Sequence, residues 1–305
     1  MSIKADFIWL DGQLVKFEDA KVHFLTHSLH YANAVFEGTR AYLGENGMAI
    51  FRLQDHTKRL LESAKITAIT PSFSQEELEN AQIELLRANN FKSNVYIRPL
   101  IFLGDGIMGI YHTKAPVRVG IAAWEWGAYL GEEGLNKGIK VCCSSLMRNS
   151  AKANFNKAKA SANYLNSMMA KYEAINSGYE EALMIDEEGF IAEGTGECFF
   201  MVKNGVLISP PNDYSLKSIT QDTVLKLAKD LGIEVKRQRI SRDEVYVCDE
   251  AFLVGTAAEI TPVNSLDNRI IADGLRGKMT KKIQDAFFDV VYGKNEKYAS
   301  MLTYI

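Results

Sequence analysis

The sequence predicts an α+β fold in two domains, and three observations predict it. Alternating apolar runs bounded by Asp-Gly, Gly and Asn-Gly turns read as strands, interleaved irregularly with segments of helical apolar period. A glycine-rich stretch, G-A-Y-L-G-E-E-G-L-N-K-G, follows a strand end and splits the chain unequally. The 305 residues are 47% hydrophobic and 24% charged, a composition and length that can bury about three quarters of the unfolded surface without metal or disulfide support. The expected division is a small N-terminal domain at 1–126, an interdomain loop at 127–135 and a larger C-terminal domain at 136–305.

D-F-I-W-L-D-G-Q-L-V-K-F alternates around Asp11-Gly12, a hairpin signal. T-H-S-L-H-Y-A-N-A-V-F-E-G-T-R-A-Y-L-G-E-N-G-M-A-I-F-R-L reads as a short turn segment followed by two strands joined at Gly44 to Gly47. Q-D-H-T-K-R-L-L-E-S-A-K-I is a helix with Leu60, Leu61, Ala64 and Ile66 on or near its inner face. The next helix starts at Ser74, where Glu77 completes a capping box. S-N-V-Y-I-R-P-L-I-F-L and V-R-V-G-I-A-A-W-E-W are strands. In the second part, I-K-V-C-C-S-S-L is a strand, and a helix with Leu165, Met168, Met169, Tyr172 and Ile175 runs to near Gly178. Strands E-A-L-M-I-D, F-I-A-E and E-C-F-F-M-V follow, the last turning at Asn204-Gly205 into V-L-I-S-P. S-I-T-Q-D-T-V-L-K-L-A-K-D-L-G is a helix, with Ser218 and Gln221 spaced as a capping box and Gly232 as its stop. A short helix at S-R-D-E-V-Y-V, a strand E-A-F-L-V-G-T-A-A-E-I-T-P-V broken by a small-residue turn, and a last helix at 274–293 complete the chain.

A net charge of -3 gives no basic footprint for nucleic acid. Cys142, Cys143, Cys198 and Cys248 form no C-x-x-C pair, which fits reduced thiols rather than a disulfide framework or zinc site. The N-terminus has no signal-peptide pattern, and no run reaches the roughly 20 apolar residues of a membrane span. A cytoplasmic location is expected, with no nucleic-acid or membrane partner.

Two motifs mislead. G-D-G-I-M-G (104–109) matches a dinucleotide fingerprint, but the following I-Y-H-T-K-A-P is turn and strand, not helix. His23, His27 and His30 cluster without a fourth metal ligand, so they read as hydrogen-bonded histidines in an extended, partly buried segment. More informative is N-K-A-K-A-S-A-N-Y-L-N (156–166). Lys157 and Lys159, with Lys152 upstream, sit at the mouth of a helix, where the dipole disfavours cations. A phosphate-bearing aldehyde cofactor would need a lysine amine, a carboxylate for a ring nitrogen, helix-N-terminal amides and an arginine for the phosphate. Lys159, Glu193 or Glu197, Ile219 and Thr220, Arg59 and Thr256 could supply them. Equally, the glutamates could be ordinary loop charges, Ser218 only a cap and Arg59 only a surface cation.

Over nearly its full length the chain resembles the branched-chain amino-acid aminotransferases, of the fold-type IV (D-amino-acid aminotransferase-like) class of pyridoxal-phosphate enzymes. H-Y-A-N-A-V-F-E-G-T-R-A-Y, H-T-K-R-L-L-E-S-A-K-I, Y-I-R-P-L-I-F, W-G-A-Y-L-G, A-K-A-S-A-N-Y-L-N-S, E-G-T-G-E-C-F-F, S-I-T-Q-D-T-V and G-T-A-A-E-I-T-P-V carry the resemblance, in the family's order. It implies a small α/β N-terminal domain, a larger pseudo-barrel C-terminal domain and the cofactor pyridoxal 5'-phosphate. Lys159 is then the Schiff-base lysine and proton shuttle, Glu193 the partner of the ring nitrogen and Tyr164 that of the ring hydroxyl. Arg59, Ile219, Thr220 and Thr256 form the phosphate cup, Leu216 packs on the ring, and Gly196 belongs to the cofactor site. Tyr96 with Thr256, Ala257 and Ala258 would take the substrate α-carboxylate. Tyr31, Phe36, Gly38, Trp126 and Tyr129 would line the side-chain pocket, with Arg98 at its rim engaging only the distal carboxylate of glutamate. The implied reaction moves the amino group of L-leucine, L-isoleucine or L-valine to 2-oxoglutarate, reversibly, in a homodimer whose Tyr31 reaches the neighbouring site. D-amino-acid aminotransferases and aminodeoxychorismate lyases share the fold; the Y-I-R-P-L and G-T-A-A-E-I-T-P-V stretches favour the branched-chain reading. The chain departs from the family at Lys217-Ser218, often Pro-Gly or Arg-Gly, and at Ser161-Ala162, often glycines.

Overall fold

The computed structural model describes residues 4–111, 114–127 and 129–305. His112 and Thr113 of the I-Y-H-T-K-A-P stretch and Ala128 of W-G-A-Y-L-G lie outside them. Two compact units emerge: residues 1–126 with Lys157–Ala162 and Val290–Ile305, and Gly127–Asn156 with Asn163–Asp289.

The first unit runs β1 (Phe7–Leu10), β2 (Gln13–Lys16), α1 (His27–Tyr31), β3 (Ala34–Phe36), β4 (Thr39–Gly44), β5 (Gly47–Phe51), α2 (Leu53–Ile66), α3 (Gln75–Asn89), β6 (Val95–Leu103) and β7 (Val117–Glu125). The β1–β2 hairpin closes at Asp11-Gly12, both at positive φ, as the Asp-Gly signal requires. With β17 (Leu302–Tyr304) at its edge, the sheet order is β17-β5-β4-β6-β7-β1-β2, and β3 also pairs with β6. Leu53, Leu60 and Ala64 of α2 and Leu78, Ala81 and Leu85 of α3 are buried in one cluster with Val95, Ile97, Ile101, Val119 and Ile121 of the sheet. Each fully buried leucine contributes about 1.5–3 kcal/mol. The Ser74–Glu77 capping box forms in full: the Glu77 N–H donates to Ser74 Oγ (3.2 Å) and the Ser74 N–H to Glu77 Oε2 (2.7 Å).

The second unit runs α4 (Glu132–Lys137), β8 (Ile139–Cys143), α5 (Tyr164–Asn176), β9 (Glu181–Ile185), β10 (Ile191–Gly194), β11 (Cys198–Lys203), β12 (Val206–Ser209), α6 (Ile219–Asp230), β13 (Val235–Arg237), α7 (Arg242–Tyr246), β14 (Glu250–Gly255), β15 (Glu259–Leu266), β16 (Arg269–Ile270) and α8 (Lys278–Val291), whose last residues lead to β17 (Leu302–Tyr304) on the first sheet. Its sheet order is β10-β9-β8-β15-β14-β11-β12-β13, with β16 on β15. Both faces of β11 are buried. Phe199 and Met201 join the core with Val141, Leu183 and Leu253, while Phe200 stacks on Phe252 at 5.2 Å. A strand covered on both sides reads as a continuous apolar run, as C-F-F-M-V does.

Three local expectations differ. The H-F-L-T-H-S-L-H run is not extended: His27–Tyr31 is the one-turn helix α1, too short to show a period. Its histidines are hydrogen-bonded, His27 Nε2 to the Gly109 carbonyl (2.8 Å) and His30 Nε2 to the Phe24 carbonyl (3.0 Å). At α6, Ser218 caps by accepting the Gln221 N–H (3.1 Å). The return half of the box is replaced, because Gln221 Oε1 instead accepts from Arg237 at 3.5 Å. The glycine-rich stretch also contains α4, in a segment that its glycines mark as loop.

Candidate active site

Strand β6 alternates, so Tyr96 and Arg98 share a face, and their cross-strand neighbours on β7 are Trp124 and Ala122. The outcome is an aromatic group around one cation. The Arg98 guanidinium carbon lies 4.5 Å from the Phe36 ring centroid, 5.2 Å from Tyr96 and 6.0 Å from Trp124. Arg98 donates to Tyr96 Oη at 3.2 Å, and among the described residues its buried Nε has no acceptor. Trp126 packs edge-on against Tyr96 at 4.8 Å, and its carbonyl accepts from the buried Arg40 at 2.6 Å. Gly38 is required here. A Cβ at that position would sit 1.9 Å from Tyr96 Oη, so Gly38→Ala is expected to overpack the site and cost about 1–3 kcal/mol, measured by urea unfolding.

Burial separates Lys159, the amine candidate, from the two lysines near it. Lys152 is exposed and pairs with Glu187 at 3.1 Å. Lys157 is exposed and Lys159 half-buried, between the buried Ala158 and Ala160. Ala160 bridges Val35, the Phe36 N–H donates to the Lys159 carbonyl (3.0 Å), and the Lys159 N–H donates to Ser63 Oγ of α2 (3.0 Å). The lysine does stand at a helix mouth: a 3-10 turn at Ser161–Asn163 begins two residues on and runs into α5 at Tyr164. The backbone just before that turn pairs with β3. The Lys159 Nζ stands 5.1 Å from the Phe36 ring centroid, so Phe36 is shared by the amine and by Arg98.

Beside it, Arg59 projects from α2 onto Glu37, whose side chain is fully buried. Nε donates to Oε1 (2.5 Å) and an NH2 group to Oε2 (2.9 Å). His56 Nδ1 donates to the same Oε2 (2.8 Å) and the Gly38 N–H adds a further bond (3.1 Å). Burial pushes the Glu37 carboxyl up, but the Arg59 charge and the His56 hydrogen bond outweigh it and hold the group far below the ordinary carboxylate range. Burial holds His56 below its usual value despite Glu37, and the Arg59 and Lys159 charges add to that.

In the second unit, Glu193 lies on β10 and accepts from Arg148 Nε at 2.5 Å; Arg148 is braced in turn by Ser167 Oγ (2.9 Å) and Asn166 Oδ1 (3.3 Å) of α5. Tyr164 is the first residue of α5. Ile219 and Thr220 open α6 and are buried; first-turn N–H groups have no acceptor within their own helix, which suits an anion. Leu216 is half-buried just before them. Thr256, Ala257 and Ala258 form the turn between β14 and β15, where Thr261 Oγ1 donates to the Ala258 carbonyl (2.7 Å). The Cys198–Val254 register brings that turn beside Gly196. Tyr129 lies against Lys171 Nζ, 5.8 Å from its ring centroid.

Phe36, Gly38, Tyr96, Arg98, Trp126 and Lys159 are thus brought together, with Arg59 on the adjoining helix. Tyr31 is not: it is 43% exposed and its ring lies against His27 at 4.6 Å. Sequence reasoning missed Glu37, Arg40, His56, Trp124 and Arg148. The one available signal was a charged residue inside the apolar run A-V-F-E-G. Among the described residues no His, Cys, Asp and Glu group could hold a metal, and no helix follows G-D-G-I-M-G before β7.

The first unit carries an amine beside an aromatic pocket with one cation; the second carries a buried carboxylate held by arginine and a phosphate-compatible helix start, and these are the parts that a pyridoxal-phosphate aminotransferase uses. The family model for amino-transferase class IV matches residues 34–266, and the chain belongs to that family. It is 47% identical over 305 residues to the branched-chain-amino-acid aminotransferase of Pseudomonas aeruginosa, covering all of this chain and 99% of that one. The crystal structure of the T.th. branched-chain amino acid aminotransferase with pyridoxamine 5'-phosphate is similar at a TM-score of 0.96, with 45% identity and 99% of each chain covered. The T.th. enzyme complexed with N-(5'-phosphopyridoxyl)-L-glutamate gives 0.95, with 44% identity and 99% of each chain covered.

Proposed function

We propose that the protein is a branched-chain amino-acid aminotransferase, moving the amino group of L-leucine, L-isoleucine or L-valine to 2-oxoglutarate with pyridoxal 5'-phosphate as cofactor. The observation that carries the substrate assignment is Arg98. Among the described residues its partners are all neutral: the Tyr96 hydroxyl and the rings of Phe36, Tyr96 and Trp124. A guanidinium on an aromatic wall with no carboxylate against it accepts an aliphatic side chain by contact and a distal carboxylate by charge. One pocket then serves both substrates in turn.

The donor set fits the cofactor: an accessible lysine amine, a carboxylate fixed by Arg148, and the buried start of α6. Lys159, Arg59, Tyr164, Glu193, Gly196, Leu216, Ile219, Thr220 and Thr256 are assigned to it. Bound pyridoxal phosphate supplies an aldehyde for the substrate amine and a ring that takes up the electrons left when the α-proton departs. Lys159 moves that proton, from the α-carbon and back, as a positioned amine. Glu193 keeps the ring nitrogen protonated. Tyr96 with Thr256, Ala257 and Ala258 orients the α-carboxylate, so the α-hydrogen faces the lysine. Phe36, Gly38, Trp126 and Tyr129 exclude water from the side chain.

Tyr31 is assigned to the pocket of a second copy, making the enzyme a homodimer. Its exposure, beside Phe24 at 77% and Leu29 at 64%, supports this. A cytoplasmic location fits cysteines none of which is in a disulfide.

The test is Arg98→Ala in single half-reactions. Losing hydrogen bonds to a charged group costs about 1.5–3 kcal/mol, so KM for glutamate should rise about 10- to 100-fold while that for leucine changes by less than about fivefold. Equal losses for both amino acids would remove the assignment.

A further inference from the structure

The turn between β10 and β11 buries more acid than base. Glu181, Glu193 and Glu197 are all buried there. Two cations answer them. Lys171 of α5 pairs with Glu181 at 2.7 Å, and Arg148, from the segment after β8, pairs with Glu193. Glu181 is further satisfied by Thr195 Oγ1 (2.7 Å) and the Ala182 N–H (2.8 Å). Glu197 has neither cation. Among the described residues, the one hydrogen bond to its carboxyl comes from the Gly196 N–H, at 3.0 Å. The group is bedded against glycine: a Cβ on Gly194 would lie 3.0 Å from Glu197 Oε2, and one on Gly255 3.5 Å from its Cγ. The fold has left out side chains to seat a carboxyl that it does not pair. A buried, unpaired carboxylate is expensive, and the way to avoid that expense is to bind a proton.

We infer that Glu197 is held as a neutral carboxylic acid and acts as a positioning residue through Glu193: three carboxyls and two cations share one proton, Glu197 keeps it, and Glu193 stays an anion for the ring nitrogen of the cofactor. The inference rests on the assignment of Glu193 made above. Burial and the Glu181 charge push the Glu197 group up to about 8, against the opposing pull of Lys171 and the Gly196 N–H, with Glu193 adding to the rise. Above that pH the cluster gains a negative charge, and the demand for a protonated ring nitrogen grows.

Two measurements on the full chain test this. The first is an infrared pH-difference spectrum of the wild-type holoenzyme and of Glu197→Gln. A protonated-carboxyl carbonyl band should vanish as pH rises through about 8, and Glu197→Gln should lack it. The second is the preference for pyridoxal phosphate over its 1-deaza analogue, which lacks the ring nitrogen, between about pH 7 and about pH 9. The wild-type preference should grow up to about tenfold more than that of Glu197→Gln, since one like charge at close range is worth on the order of one pKa unit. Titration of the free cofactor is common to both proteins and cancels. Glu193→Gln separates the two readings. If it leaves the preference untouched, the Glu193 assignment fails and this inference with it. If it abolishes the preference while Glu197→Gln keeps the wild-type pH response, Glu197 does not hold the proton. Absence of the infrared band from the wild-type protein overturns the inference without any variant.

Discussion

Replacing Lys159 with alanine will leave amino transfer undetectable in a chain that stays folded. Its backbone bonds, to the Phe36 N–H and to Ser63 Oγ, do not involve the side chain, and both neighbours in the sequence are already buried alanines. Stability should change by less than about 1 kcal/mol, as for sites where no buried group is orphaned. The chemical loss is larger. A positioned proton-transfer group is worth about 10²–10⁴-fold, and the proposed role of the same amine as covalent anchor adds to it. A fall of at least about 10⁴-fold in the L-leucine half-reaction is expected, followed by the visible absorbance of the bound cofactor. Small exogenous amines should restore part of the proton transfer. Turnover within tenfold of wild type, in a protein with unchanged unfolding midpoint, would exclude Lys159 from the chemistry.

How much of this site was legible in the sequence depends on the range over which each residue is specified. Hairpins at Asp11-Gly12 and Asn204-Gly205, the Ser74 cap and the run C-F-F-M-V are set by neighbours a few positions away, and their readings hold. Lys159 was legible as the amine candidate from its type and its small flanking residues, but its half-buried setting was not; the packing of Ala158 and Ala160 into the first core sets that. Glu37 was passed over since its partners lie 19 and 22 residues on, beyond strands β4 and β5 on α2. Arg148 finds Glu193 45 positions away, from an irregular segment with no period to read. Gln221 illustrates the same limit on a small scale. Its spacing from Ser218 fits a box, but Arg237 competes for the carboxamide oxygen, and nothing local encodes that rival. The resemblance to the aminotransferases implies roles; the braces behind those roles are long-range contacts that no local pattern encodes.

Arg59→Ala should destabilise the first unit as strongly as removing a large core side chain. The Glu37 side chain is fully shielded and keeps its charge because Arg59 and His56 are bonded to it. Removing one partner of a buried pair leaves an uncompensated charge, at about 3–5 kcal/mol. The pH dependence identifies the cause. In the wild type the carboxyl is lowered from 4.5, so its contribution is present above that pH and is lost as pH falls below it. In the variant, burial dominates and raises the group, so the destabilisation is greatest near neutral pH and narrows as the carboxyl protonates on acidification. Urea unfolding at about pH 7 and about pH 5 reads the difference. A deficit below about 1 kcal/mol, or one constant with pH, would contradict a pinned charge pair. A double variant, Arg59→Met with Glu37→Gln, separates the two roles of the arginine. With both charges gone, most of the stability should return. The affinity for pyridoxal phosphate should stay low relative to unphosphorylated pyridoxal, because the phosphate has lost its guanidinium. If stability and phosphate preference recover together, Arg59 serves only to pair Glu37, and the phosphate is held elsewhere.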